Sequence, residues 1–185
     1  SQFTDNIQYL PIENPANIQL IGLNNVDISD KHILVSNGNI CVLYDSAGKF
    51  ISKIGKQGRG PGEYLGITNM QLGKQKEVFL SYYYDLLEYN IDGSLKANYK
   101  KSLLINNKYL LQTWYQINDS LFLGRIPNTT GKIEYKALII NKQGDVSYLY
   151  KNYDLFNREK EIGSFAEGFS HIYRYKGYIF YKDLY

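Results

Sequence analysis

His32, His171 and Cys41 are the only histidines and the only cysteine in a chain of 185 residues, and they bound its metal and nucleophile chemistry. A zinc centre needs several such ligands converging, and a nucleophile needs an adjacent base. Two distant imidazoles and one thiol supply neither, so we expect no metal, no cofactor and no catalytic residue. Asp27, Asp85 and Asp154 carry acid–base chemistry in principle, but nothing in their spacing brings them together.

Recognition chemistry is better represented. Arg59 and Glu63 are the polar side chains of a glycine-rich stretch, KIGKQGRGPGEY, from Lys53 to Tyr64. The planar guanidinium of Arg59 suits an anionic group, because its fork pairs a carboxylate bidentately. Glu63 either accepts backbone N–H groups or pairs with Arg59. Trp114 and Tyr115 stand side by side, and Arg125 follows SLFLG. A tryptophan here either stacks on a flat ligand or fills a core. In SYYYDLLEY, from Ser81 to Tyr89, strand side chains alternate between faces, so part of the Tyr82–Tyr84 run is exposed near a hairpin. Arg59, Glu63, Trp114, Tyr115, Arg125 and Tyr83 are therefore the candidate ligand-binding residues.

The elements that hold these side chains are strands. Nineteen tyrosines, eight phenylalanines and few alanines favour a pleated, half-buried surface over helix. Three segments, NICVLYDSAGKFISKIG, DLLEYNIDGSLKANYK and KALIINKQGDVSYLY, superimpose on Gly48, Gly93 and Gly144. Each reads as a hairpin in which glycine supplies a positive φ and Asp or Asn bonds back to the backbone. A second hairpin precedes each one, with turns near Asp30, Lys74 and Asp119.

Two hairpins per repeat of roughly 45 residues match the blade of a β-propeller. We therefore expect an all-β fold of four-stranded antiparallel blades, at about 24–55, 67–100 and 112–151, with a partial fourth at 169–185 in one domain spanning 1–185. Asp5–Glu13, within residues 1–20, is the candidate for a ring-closing strand. Propeller rings hold about four to eight blades, so the chain is expected to be part of a protein about twice as long. An open array or an assembly of halves is the alternative.

The glycine-rich stretch lies between blades one and two. A phosphate loop would need Gly-Lys-Ser/Thr opening a helix. Here Pro61-Gly62-Glu63-Tyr64 leads into the strand-like LGITNMQL, so it reads as a joint. From Asn24 to Leu72 the sequence resembles an NHL-type repeat: a Gly-Asn-Ile strand, an Asp-x-x-Gly-x-Phe hairpin and the Gly-Arg-Gly-Pro-Gly-Glu-Tyr connector. It is similar to six-bladed NHL-like propellers of the Bacteroidetes, many of them exported lipoproteins. The second and third repeats lack Gly-Pro-Gly.

That resemblance implies export to the periplasm or cell surface, with a lipid anchor upstream. An aromatic-rich propeller face suits a glycan or peptide ligand, and a binding module is the expected function. A lyase or glycoside hydrolase with catalytic groups outside this chain, and a structural interaction platform, are the alternatives. A net charge of +3 with mixed signs gives no nucleic-acid footprint. No apolar run reaches the ~18 residues of a membrane helix.

Overall fold

The computed structural model describes residues 9–111, 113–128, 131–153, 155, 171–175 and 178–182. Among these residues every regular element is a strand. The first sheet comprises β1 (Asn25–Ile28), β2 (His32–Ser36), β3 (Cys41–Asp45) and β4 (Phe50–Lys53). A short parallel bridge of β5 (Lys56–Gln57) and β6 (Glu63–Tyr64) follows. The second sheet holds β7 (Asn69–Leu72), β8 (Glu77–Tyr82), β9 (Asp85–Asn90) and β10 (Leu95–Tyr99). A two-stranded connector, β11 (Leu104–Ile105) and β12 (Tyr109–Leu110), leads into the third. That sheet contains β13 (Thr113–Gln116), β14 (Leu121–Arg125), β15 (Tyr135–Asn141) and β16 (Val146–Lys151). A last hairpin pairs β17 (His171–Tyr175) with β18 (Tyr178–Lys182).

Each four-stranded sheet is an antiparallel meander in chain order, and none closes on itself. The outer hairpins turn as their residues dictate. Gly48, Gly93 and Gly144 sit at φ of 80°, 86° and 91°. Asp45 Oδ1 accepts the N–H groups of Ala47 and Lys49, and Asn141 Oδ1 those of Gln143 and Asp145. In the second sheet this task shifts to Asp92, whose Oδ1 accepts from Ser94 N–H.

These turns also dock the sheets. A Cβ on Gly93 would fall 2.1 Å from the Lys53 carbonyl oxygen, so the turn can approach the chain leaving the first sheet only as glycine. Gly55 N–H donates to Gly93 O at 3.2 Å, and Glu13 N–H donates to Gly48 O at 2.8 Å. Pro11–Glu13 thus takes the place before the first sheet that Lys53–Gly55 takes before the second. Of the expected ring-closing stretch, residues 1–8 lie outside the described residues, and 9–13 form no strand.

The cores lie between sheets. Leu34, Cys41 and Leu43 of the first meet Met70, Leu80 and Leu87 of the second. Phe79 and Leu86 face Trp114, Phe122 and Leu138 of the third. The second sheet is therefore apolar on both faces, which a single exposed sheet would not tolerate in water.

First strands lie side by side, β1 against β7 and β7 against β13. Their free edges are satisfied by side chains from the neighbouring sheet. Asp27 Oδ2 accepts Leu72 N–H at 2.7 Å, Gln71 Oε1 accepts Gln116 N–H at 2.8 Å, and Asn69 Nδ2 donates to Trp114 O. Buried backbone groups must find partners, and these three side chains supply them.

Candidate functional site

Because the sheets are meanders, the chain between sheets and the β2–β3, β8–β9 and β14–β15 loops emerge at one end of the stack. Arg59, Glu63, Tyr83 and Arg125 belong to this end. The glycine-rich stretch is anchored there by two tyrosines, with Tyr64 OH donating to Ile54 O at 2.9 Å and Tyr89 OH to Gly62 O at 2.8 Å.

Glu63 organises the loop from within. Its Oε1 lies 2.7 Å from Lys56 Nζ, and its Oε2 accepts Gly60 N–H at 2.7 Å. The Lys56 hydrogen bond, then the Gly60 N–H, hold this carboxyl below its ordinary range. A Cβ on Gly58 would fall 2.0 Å from Glu63 Oε2, so glycine there is what lets the carboxylate fold back over the loop. Glu63 is thus occupied by its own connector, and its cation is Lys56 rather than Arg59. Arg59 is exposed, and its side chain makes no hydrogen bond or ion pair with another described residue.

Arg59 lines a cleft of about 670 Å³ with Leu65, Tyr82, Asp85, Leu95 and Lys100. A second cleft of about 310 Å³ adjoins it, lined by Asn39, Leu65, Thr68, Tyr82 and Tyr83. Leu65 and Tyr82 form the ridge common to both. The Tyr82 and Tyr83 ring centroids are 4.7 Å apart, and Tyr83 is 63% exposed.

Tyr83 occupies the first position of the two-residue β8–β9 loop at φ 51°. That left-handed conformation is costly for a bulky residue. Replacing Tyr83 by glycine is expected to raise stability by about 0.5–1 kcal/mol, as relief of left-handed strain exceeds the added chain entropy. A urea titration followed by circular dichroism checks this, and an unchanged or lower midpoint contradicts it.

The other candidates fall elsewhere. Trp114 is not a surface platform. It is 1% exposed and packs edge-on against Phe79 and Phe122, with centroids 6.4 and 5.6 Å away. Strand parity on β13 turns Trp114 and Gln116 inward together. Tyr115, on the opposite face, and Arg125, across from Thr113, are half-buried with partners of their own, and neither lines the two clefts. The sequence therefore grouped six residues of which the structure brings together Arg59, Glu63 and Tyr83.

His32 lies at the far end of the stack, in a cavity of about 570 Å³ with Lys31, Lys74, Lys76, Glu77 and Gln116. Among the described residues no three histidine, cysteine or acidic side chains cluster to hold a metal ion. Asp85 Oδ1 caps Lys101 N–H at 2.8 Å, Asp27 laces two sheets, and Asp154 lies outside the described residues. The structure adds Lys56, Leu65, Tyr82 and Lys100 to the site. Of these, only Lys56 left a usable trace, as the cation sharing a glycine-rich loop with Glu63.

Comparison with known proteins bears on the fold. The chain is similar to a solved structure from Bacteroides fragilis NCTC 9343 named "Putative exported protein", with a TM-score of 0.71 and 16% identity over 95% of this chain and 49% of that one. The chain thus spans about half the length of that protein. No curated protein matches. The family profile of DUF4934, a domain of unknown function, matches residues 1–185, and the chain belongs to that family.

Proposed function

We propose that the chain forms three and a half blades of a six-bladed, NHL-like β-propeller, exported to the periplasm or cell surface, that binds a glycan or peptide on its connector face. Support for the ring comes from the recurring four-stranded meanders with neighbouring first strands, and from the likeness to a structure twice as long. Support for export is the name carried by that structure.

The observation that carries the binding reading is Tyr83, exposed in a left-handed backbone, in a cleft that shares Leu65 and Tyr82 with that of Arg59, whose side chain has no partner among the described residues. The tight β8–β9 hairpin itself requires a positive φ at this position, which glycine or asparagine would meet at less cost, so it is the choice of an exposed tyrosine there that points to a ligand contact. The test screens the protein bearing this domain against glycan and peptide arrays, with Tyr83→Ala in parallel. We expect a ligand whose affinity falls at least tenfold, about 1.4 kcal/mol, in the variant. Retained affinity in Tyr83→Ala places binding elsewhere, and turnover of a bound glycan favours the enzymatic alternative.

A further inference from the structure

We propose that the ligand of this face is an acidic saccharide, with its carboxylate held by Arg59 and Lys100 and its ring seated on Tyr83 and Tyr82. This deepens the binding reading above and rests on it.

The charges of the cleft decide the sign of the ligand. Four charged side chains line it: Arg59, Lys100, Glu63 and Asp85. Glu63 is neutralised by Lys56 at 2.7 Å. Asp85 gives one oxygen to Lys101 N–H, which leaves a single partly engaged carboxylate. Against it stand two cations, Arg59 and Lys100, with no ion pair or hydrogen bond to another described residue. The balance favours an anion, and the guanidinium fork favours a planar carboxylate.

The shape of the site decides the rest. Tyr82, half-buried against the core, and the exposed Tyr83 form an aromatic pair at the ridge, with ring centroids 4.7 Å apart and planes tilted by 56°. A pyranose has one apolar C–H face to lay on such rings and a hydroxylated rim for polar groups. Asn39 and Thr68 line the aromatic cleft, and Asn98 lines the cationic one, so each side has neutral hydrogen-bonding partners for that rim. An acidic peptide would satisfy the cations, but it would need pockets for its alternate side chains. On the Arg59 side the lining is the stretch from Gly58 to Glu63, three of whose members are glycines with no side chain to frame such pockets, with Leu65 and Leu95 as the apolar remainder.

The test uses the protein bearing this domain in calorimetric titration with oligouronates (galacturonate, glucuronate and mannuronate series), their methyl esters, and oligoglutamate. We expect an oligouronate to bind and its methyl ester, with the same ring and no charge, to bind at least tenfold more weakly. Arg59→Ala should shrink that difference, and Arg59→Ala with Lys100→Ala should remove it, neither weakening the ester further, whereas Tyr83→Ala should weaken both acid and ester. Equal binding of acid and ester overturns the acidic class, yet leaves the binding reading intact if Tyr83→Ala still weakens both. Oligoglutamate binding as tightly as the best uronate assigns the site to acidic peptide and overturns the saccharide. Absence of binding to every uronate, with an array ligand that depends on Tyr83, overturns it as well.

Discussion

Glu88→Gln should lower the stability of this domain by about 3–5 kcal/mol, the range expected when one partner of a buried ion pair is removed. Glu88 sits on β9 and is 1% exposed. Its Oε1 lies 2.7 Å from Lys96 Nζ, and its Oε2 lies 2.8 Å from Tyr99 OH and 3.0 Å from Lys142 Nζ. Lys96 is half in water, but Lys142 reaches across from the β15–β16 turn and lies over the Phe79 ring, 5.1 Å from its centroid. That turn is the one whose Gly144 packs on Ser102, so the carboxylate fastens the third sheet to the second. An amide preserves shape and leaves the Lys142 ammonium uncompensated. Replacing both, as Glu88→Gln with Lys142→Met, should cost well below the sum of the two single changes, since residues of one network couple. Urea midpoints by circular dichroism give all three values, and a Glu88→Gln penalty under about 1 kcal/mol would mean that water already solvates the cluster.

The same carboxylate sets an acid limit. Burial pushes the Glu88 carboxyl up, but the hydrogen bonds from Lys96, Lys142 and Tyr99 outweigh burial and hold it below its ordinary value of 4.5. A group depressed in the folded state stabilises folding above its unfolded pKa and loses that contribution as pH falls through the folded value. The gap between wild type and Glu88→Gln should therefore be full at neutral pH and narrow below about pH 4.5.

Much of this architecture is legible in the order of the residues. Gly48, Gly93 and Gly144 with their Asp or Asn partners marked the outer turns, because a positive φ leaves few residues to choose from. The glycine-rich joint was placed for a similar reason, as no helix follows it to receive a phosphate. Side-chain partnerships were harder. Glu88 looks like the ordinary polar position of a strand; Lys96, eight residues on, reaches it from the paired β10 at a break in register, and Lys142, 54 residues on, only when two sheets stack. Glu63 meets Lys56 rather than Arg59 because β5 and β6 pair in parallel with those two residues in register, a closure local spacing does not encode. At Tyr83 the turn carries no glycine or asparagine, and its conformation is imposed by the Tyr82–Asp85 pairing on either side.

Trp114 shows what strand parity withholds. In Thr-Trp-Tyr-Gln two aromatics point to opposite faces, and the inward set turns out to be Trp114 with the polar Gln116, so hydrophobicity gives no rule for choosing. Trp114→Ala is expected to cost about 3–5 kcal/mol, as for other buried aromatics truncated to alanine. The site has little room to collapse, since Phe79 and Phe122 also pack against each other, with centroids 5.2 Å apart. Trp114→Phe should cost only about 1–2 kcal/mol, because it retains an aromatic ring and removes an Nε1–H that is buried without an acceptor among the described residues, so part of the lost packing is offset. As the chain has a single tryptophan, its emission should be blue-shifted and resistant to iodide in the folded protein. Easy quenching, or loss of ligand binding in Trp114→Phe at unchanged stability, would return this residue to the recognition surface. The core position predicts the reverse: quencher has no access, stability drops with side-chain volume, and a ligand on the connector face binds the folded Trp114→Phe protein as it binds wild type.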